Sequence, residues 1–356
     1  MQSSSVLGTG IVNRRPLAAR SLAFGPETPW PAAITVPARN EAERIVPCLE
    51  AARMALRGRG GIVVVVNGSD DATFPRARDW FEATGTAGLL IDLADTPEGG
   101  VGAVRRQAVA AAAPRLASRG VVLTTDADSR VLPDWLDTNL SELTRADLIC
   151  GSVLPDRDEF AQLPPIIAQR GAAEGEYVGL TLALRALIDP LAHDPAPCGL
   201  GAAGASLAFR MPLYTDTGGI PALPGNEDRA FAALAEGRGW RVRHSPDVRV
   251  STSCRLDGRA PGGMAEALAR RISDPDPMVD SALEPAHRTV QRSRLQRARR
   301  DGVAQFGPGS LQVARIDRQL AGLERTRMRL SDVARELPLL AAAVRAARAD
   351  TERLTA

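Results

Sequence analysis

Five consecutive β-branched residues at positions 62–66 limit the folds open to this chain more than any other feature of its sequence. A strand with one face in water alternates apolar and polar residues, whereas a strand covered on both faces is apolar throughout. The run is therefore typical of a strand inside a parallel sheet that carries helices on both sides. It predicts an α/β architecture.

Other short apolar segments surround this run and are separated by segments of helical periodicity. The predicted segments are strands at 34–37, 89–91 and 121–123 and helices at about 41–57, 72–83 and 101–117. Strands and helices that alternate at this spacing build a parallel sheet with right-handed crossovers. The predicted fold class is α/β, with a mostly parallel sheet flanked by helices and a helical C-terminal extension.

Changes of composition along the chain divide it into three predicted regions. Residues 1–30 are polar, contain Gly and Pro and show no period, which is typical of a loosely ordered lead-in. Residues 31–260 hold the strand–helix alternation and form the predicted α/β domain. Residues 261–356 form an Arg-rich helical extension.

One segment of this extension has a clear apolar face. Val313, Ile316, Leu320 and Leu323 recur at intervals of three and four residues, with polar residues between them. Such an amphipathic helix needs a partner surface, either on the α/β domain or on a second subunit of a homo-oligomer. The arginine face is interpreted as solvated, and peripheral contact with an acidic lipid surface stays open as an alternative.

The composition excludes several classes of protein. The chain has no Lys, and its 44 basic residues are nearly balanced by 42 acidic ones, which argues against nucleic-acid binding. Four separated cysteines indicate neither a zinc site nor a disulfide framework. There is no apolar stretch of about 18 residues and no signal-peptide pattern, so we expect a cytoplasmic protein without a membrane span.

Polar residues follow each strand of the predicted sheet, and ligands of open α/β sheets bind beyond the carboxyl ends of the strands. The most informative pair is Asp126 and Asp128, directly after the fourth strand. Two carboxylates about 4 Å apart repel by about 4 kcal/mol at an effective dielectric near 20. Mg²⁺ or Mn²⁺ would relieve this repulsion, because both ions prefer oxygen ligands. The alternative is a surface turn in which Asp128 caps the next segment.

Six motifs in order resemble those of family 2 glycosyltransferases. They are Pro37-Ala38-Arg39-Asn40-Glu41, Asn67-Gly68-Ser69-Asp70-Asp71, Gly100-Val101-Gly102-Ala103-Val104-Arg105, Asp126-Ala127-Asp128, the strand from Gly204 to Arg210, and Glu227-Asp228. Single motifs of this kind are weak signals, whereas six in order over about residues 30–255 are strong. The resemblance implies the GT-A fold, which is Rossmann-like.

The resemblance also implies an activity and a set of site residues. It implies a hexosyltransferase-like enzyme that moves a sugar from a nucleotide-diphosphate sugar donor to an unidentified acceptor, with Mg²⁺ or Mn²⁺. The implied donor-binding residues are Pro37, Ala38, Asn40, Glu41, Asn67, Gly68, Arg105 and Asp126. Asp128 and Asp126 would hold the metal. Asp228 would be the base of an inverting reaction, with Glu227 orienting the acceptor or its loop.

Three departures from the family pattern affect what the resemblance implies. Val66 stands where many members have the acidic residue that recognises the base, so the nucleotide is not specified. Many members have a metal-binding His after the Glu-Asp helix, and positions 251–254 of this chain hold none. His244 is the candidate third ligand, with a structural role as the alternative. The Q-x-x-R-W pattern of processive synthases is missing, which favours transfer of single sugars.

Two other functions compete with glycosyl transfer. A nucleotidyltransferase can share this kind of sheet and metal site, but it usually has a G-x-G-x-R-x-x-P-x-x-K loop, and this chain has no Lys. A non-catalytic nucleotide-sugar binding protein is the second alternative. Four intact acidic residues argue against it, namely Asp126, Asp128, Glu227 and Asp228. A retaining mechanism, which needs no such base, also stays open.

Overall fold

A computed structural model describes residues 19–26, 29–258 and 263–355, and within them nine strands form one sheet. The strands are β1 (Ala19–Phe24), β2 (Trp30–Ala38), β3 (Gly60–Asn67), β4 (Gly88–Leu93), β5 (Leu116–Thr124), β6 (Ser129–Val131), β7 (Leu148–Pro155), β8 (Leu207–Arg210) and β9 (Val242–Thr252). The helices are α1 (Ile45–Leu56), α2 (Thr73–Thr84), α3 (Gly100–Ala112), α4 (Trp135–Glu142), α5 (Arg157–Ala161), α6 (Pro165–Ile188), α7 (Met211–Asp216), α8 (Glu227–Gly237), α9 (Met264–Ser273), α10 (Ala286–Phe306), α11 (Leu311–Ala321) and α12 (Leu330–Thr355).

The strands lie in the order β1-β4-β3-β2-β5-β8-β7-β9-β6. The four predicted strands β2, β3, β4 and β5 are neighbours and run parallel to one another. Beyond β5 the sheet is mixed, because β8 runs antiparallel to both β5 and β7 while β9 runs parallel to β7. The predicted α/β class, with a parallel core and flanking helices, is confirmed.

The apolar run at 62–66 lies between two hydrophobic layers, one on each face of the sheet. All five residues at 62–66 are fully buried. Ile62, Val64 and Val66 pack in a cluster with α1 and α2 on one face of the sheet. Val63 and Val65 pack with α3 on the other face. Burial on both faces is the physical reason that this strand needs no polar residue.

Two boundaries differ from those predicted. Residues 1–18 of the predicted lead-in lie outside the described residues, but Ala19–Phe24 forms the edge strand β1, antiparallel to β4. Phe24 stacks on Phe81 of α2 with ring centroids 4.8 Å apart, which helps to hold this strand in place. The helix predicted to reach 117 ends at Ala112. A 3₁₀ turn that contains Pro114 follows it, because proline has no N–H to continue the α-helical hydrogen bonds.

The C-terminal helices pack on α6 and on one another. Tyr177 and Leu184 of α6 share a buried cluster with Leu283, Leu340 and Val344. The apolar face of α11 lies against α10, with Val313 buried and Ile316 and Leu320 half-buried. The helix ends at Ala321, so Leu323, which is also buried, lies just beyond it. The division into 31–260 and 261–356 stays a proposal, and we expect the two parts to unfold together because they share this cluster. In the described ranges, α6 and α12 included, no helix is both long and apolar enough to cross a membrane.

Substitution of Leu340 by Ala tests whether α12 belongs to the folded unit. Leu340 is fully buried against α6, so its truncation is expected to lower the free energy of unfolding by about 2–5 kcal/mol. Leu339→Ala is the matched control, because the neighbouring side chain is 57% exposed. Urea unfolding followed by circular dichroism measures both. Equal stability of the two variants would show that α12 does not contribute to the core.

Candidate active site

A cavity of about 760 Å³ lies beyond the carboxyl ends of β2, β3 and β5. Residues 202–205 before β8, the start of α8, and α9 form its other walls. Most of the residues predicted for donor, metal or catalysis line it. They are Pro37, Ala38, Glu41, Asn67, Arg105, Asp126, Asp128, Glu227 and Asp228. The sheet thus brings the six motifs to one place, although they are spread over some 190 residues of sequence.

Arg105 joins two other motifs through a buried ion pair with Glu227 and a partly buried one with Asp126. Its Nε donates to Glu227 Oε1 at 2.8 Å, and its Nη2 donates to Asp126 Oδ1. The side chains of Arg105 and Glu227 are 4% and 5% exposed. Burial lowers the pKa of Arg105, but the charges of Asp126 and Glu227 outweigh it and raise that pKa above its usual range. Burial raises the pKa of Glu227, and the charge of Arg105 opposes this rise.

Glycines allow the helix that carries Arg105 to approach the loop before α8. Gly100 has a positive φ of 56°, and the N–H of Gly102 donates to the Leu223 carbonyl at 3.0 Å. A Cβ at Gly102 would collide with the carbonyl oxygen of Pro221. The Gly-rich segment therefore makes room for backbone of the α8 loop, and this approach puts Arg105 beside Glu227.

Asp128 faces a second arginine, which the sequence analysis missed. Arg255 Nη2 lies 3.1 Å from Asp128 Oδ2, and Arg255 Nη1 donates to Glu41 Oε2 at 2.7 Å. Burial and the charge of Asp126 raise the pKa of Asp128 to about 6, while the charge of Arg255 lowers it. Arg255 directly follows positions 251–254, where the family often has a metal-binding His. This position is the sequence signal that could have indicated a role for Arg255 at the site.

The loops after β2 and β3 are held together by side chains of the first two motifs. Asn67 Nδ2 donates to the Ala38 carbonyl at 2.9 Å, and Asn67 Oδ1 accepts from Thr96 Oγ1 at 2.9 Å. Asn40 has a positive φ of 52°, and its Oδ1 accepts the N–H of Asp70 at 3.0 Å. Gly68 has a positive φ of 47°. In the described chain, Asn40 and the glycine do not line the cavity, and they shape the loops behind it.

Asp228 is held in one orientation at the start of α8. Its Oδ2 accepts the N–H of Gly204 at 2.7 Å, and its Oδ1 accepts the N–H of Arg229 at 2.7 Å. The hydrogen bond from Gly204 links α8 to the segment before β8 at the wall of the cavity. A carboxylate oxygen has two lone pairs, so each oxygen can still accept a further proton or hydrogen bond.

His244, the predicted third metal ligand, lies away from the carboxylates. Its Nδ1 is 3.1 Å from Asp194 Oδ2, and its backbone N–H donates to Asp194 Oδ1 at 2.9 Å. It sits in β9 opposite Cys150 and is not among the described residues that line the cavity. Its position corrects the ligand role predicted for it, because its ring is used in a structural contact.

The residues present fit a divalent cation whose coordination is completed by phosphates of a bound ligand. Across residues 19–26, 29–258 and 263–355, no cluster of three His, Cys, Asp or Glu side chains is arranged to hold a metal. Mg²⁺, however, is commonly held by one or two carboxylates together with substrate phosphates. Asp126 and Asp128 each have one oxygen near an arginine, and their other oxygens accept no hydrogen bond within the described chain.

The charge around the carboxylate pair also favours a cation. Five carboxylates and two of the cavity's guanidinium groups meet at this end. They belong to Glu41, Asp126, Asp128, Glu227 and Asp228, and to Arg105 and Arg255. Burial raises the pKa of Asp128, and the negative charges of Asp126 and Glu41 raise it further. A divalent cation would offset most of this excess.

Comparison with known proteins finds similar solved structures and one matching protein family. Solved structures with similar folds include a mannosyltransferase, PcManGT, from Pyrobaculum calidifontis in complex with GDP-Man and Mn²⁺, at 18% identity and a TM-score of 0.47, covering 94% of this chain and 90% of that one. S. aureus TarS 1–349 in complex with UDP-GlcNAc is 17% identical with a TM-score of 0.47, covering 90% and 88%. Glucosyl-3-phosphoglycerate synthase from Mycobacterium tuberculosis, with Mn²⁺, UDP and phosphoglyceric acid, is 17% identical with a TM-score of 0.40, covering 68% and 76%.

The sequence comparison is more specific than these structural ones. No curated protein sequence matches the chain significantly. Residues 33–199, however, match the protein family described as Glycosyl transferase family 2, and this range holds the first four motifs that line the cavity. Residues 33–199 of this chain therefore form a glycosyl transferase family 2 domain.

Proposed function

We propose that this glycosyltransferase moves a sugar from a nucleotide-diphosphate sugar donor to a hydroxyl of its acceptor, with inversion and with bound Mg²⁺ or Mn²⁺. The observation that carries the proposal is the carboxylate pair Asp126 and Asp128, which lines a cavity at the carboxyl ends of parallel strands. The family match supports the reaction type. The volume of the cavity falls within the range of about 300–1,000 Å³ typical of small-molecule sites.

The donor end of the cavity is built from the first four motifs. Asp126 and Asp128 would hold the metal ion, which neutralises charge on the departing nucleoside diphosphate. Arg105 fixes Asp126 against Glu227, and its Nη1 is buried without a hydrogen-bond partner in the described chain. The backbone of Pro37 and Ala38 borders the same end. We assign the first motifs to donor binding on this basis.

The acceptor end is built around Asp228. Two backbone N–H groups orient its carboxylate, and the remaining lone pairs can take the proton of the acceptor hydroxyl as the new bond forms. Glu227 is tied to Arg105, so we assign it the role of positioning the start of α8. Inversion follows from a single displacement with one base.

A thermal-stability screen tests the proposed donor. Nucleotide sugars are added to the protein with Mn²⁺ and, separately, with excess chelator. A ligand present at 100 times its Kd stabilises the folded state by about 2.7 kcal/mol, which gives a clear rise in Tm. We expect one or a few nucleotide sugars to stabilise the protein, and only with the metal. Equal stabilisation in chelator would contradict the metal's role, and stabilisation by nucleoside triphosphates alone would favour a nucleotidyltransferase.

A further inference from the structure

We propose that Arg255 is a positioning residue. It lies where a third protein ligand to the metal would otherwise be expected, and it contacts the carboxylates rather than the metal. Its guanidinium holds Asp128 and Glu41, so the divalent cation binds firmly only together with the diphosphate of the donor. This inference rests on the proposed function and deepens it. It concerns the order and coupling of binding at the site.

The contacts of Arg255 link two motifs that the sequence separates widely. Both terminal nitrogens donate to the Glu41 carboxylate, one of them at 2.7 Å, in the paired geometry typical of arginine with a carboxylate. The Nη2 atom also lies 3.1 Å from Asp128 Oδ2. The three side chains are 15%, 6% and 20% exposed, so solvent screens these charges only in part.

The backbone before Arg255 is fixed, which makes this contact a built feature of the site. Glu159 Oε2 accepts both the Ser253 hydroxyl and the N–H of Cys254, each at 2.7 Å. The N–H of Ser253 donates to the carbonyl of Asp128 at 3.2 Å. The backbone next to Arg255 is therefore hydrogen-bonded to the loop that carries Asp128, the carboxylate that the guanidinium contacts.

The charge of this group decides when a metal can bind. A divalent cation placed between Asp126 and Asp128 would lie close to the guanidinium, and the repulsion between them weakens binding of the ion alone. The donor diphosphate brings negative charge that can face both cations at once. Binding of metal and diphosphate should therefore be coupled, each raising the affinity for the other by the same factor.

Titration of Mn²⁺, followed by the electron paramagnetic resonance signal of the unbound ion, tests whether Arg255 weakens binding of the ion alone. Without any nucleotide, Arg255→Gln is expected to bind Mn²⁺ about tenfold more tightly than wild type, because the repelling charge is gone. Arg255→Lys keeps the charge and should bind the ion about as wild type does. Arg241→Gln is the matched control, since Arg241 forms a similar paired contact with Asp147 at the surface.

The same titration with UDP and with GDP as probes tests whether metal and diphosphate binding are coupled. In wild type we expect at least one of them to tighten Mn²⁺ binding strongly, and in Arg255→Gln the gain should fall about tenfold. Weaker or unchanged Mn²⁺ binding by Arg255→Gln in the absence of nucleotide would overturn the proposal. An equal rise in Mn²⁺ affinity in Arg255→Lys without nucleotide would overturn it as well. Wild type that takes up no Mn²⁺ with any nucleotide would instead contradict the proposed function. Circular dichroism of each variant confirms that it is folded.

Discussion

Asp228→Asn is expected to lower turnover by a factor of about 10² to 10⁴ and to leave donor affinity close to that of wild type. The amide keeps the size of the side chain and can still accept one of the two backbone hydrogen bonds, from Gly204 or Arg229. It cannot take the proton of the acceptor hydroxyl. Steady-state kinetics on the identified acceptor and calorimetry with the donor separate the two effects.

Two controls make this result specific to the proposed base. Asp247→Asn changes the same chemical group at an exposed position in β9 and should leave turnover unchanged. Proton NMR of fresh product reports the anomeric configuration, which should be opposite to that of the donor. A product with the donor's configuration, or a loss of less than about tenfold in Asp228→Asn, would contradict assignment of Asp228 as the base.

Arg105→Gln should have the largest effect on stability among the cavity residues. It leaves Glu227, whose side chain is 5% exposed, without its ionic partner and removes the contact to Asp126. Removal of one partner of a buried ion pair typically costs about 3–5 kcal/mol. We expect a fall of that size in the free energy of unfolding, measured in urea, together with loss of donor binding.

A glycine pair provides a subtler test of the same contact. A Cβ at Gly204 would collide with the Arg105 guanidinium, whereas a Cβ at Gly201 meets nothing within 4 Å. Gly204→Ala is therefore expected to displace the guanidinium and weaken donor binding without removing any charge. Gly201→Ala should behave as wild type. Equal donor affinity in wild type, Gly204→Ala and Arg105→Gln would show that this arginine does not organise the donor site.

The sequence predicted the parts of this molecule whose cause is local. Burial of residues 62–66 on both faces follows from five β-branched residues in a row, and the parallel order of β2 to β5 follows from the strand–helix alternation. The gathering of Glu41, Asn67 and Asp126 at one cavity follows in turn, because the carboxyl ends of neighbouring parallel strands lie at one edge.

The parts that it missed depend on contacts between distant segments. Arg255 pairs with Glu41 across 214 residues of sequence, and only its place directly after positions 251–254 distinguishes it from the many other arginines of this chain. His244 was a candidate by residue type and by its place after the Glu-Asp helix, whereas its contact with Asp194 is set by the loop after α6. Strand β1 depends on an edge of β4 whose open side the sequence did not reveal.

Isothermal calorimetry of the donor tests the central claim most directly, namely that the two aspartates hold a metal that binds the diphosphate. The donor found in the thermal screen is titrated into wild type and Asp128→Asn, each with Mn²⁺ and with chelator. We predict strong binding only for wild type with Mn²⁺, and a loss of at least about tenfold in affinity when either the metal or Asp128 is removed. Donor binding by Asp128→Asn in chelator that equals wild type with Mn²⁺ would contradict the account.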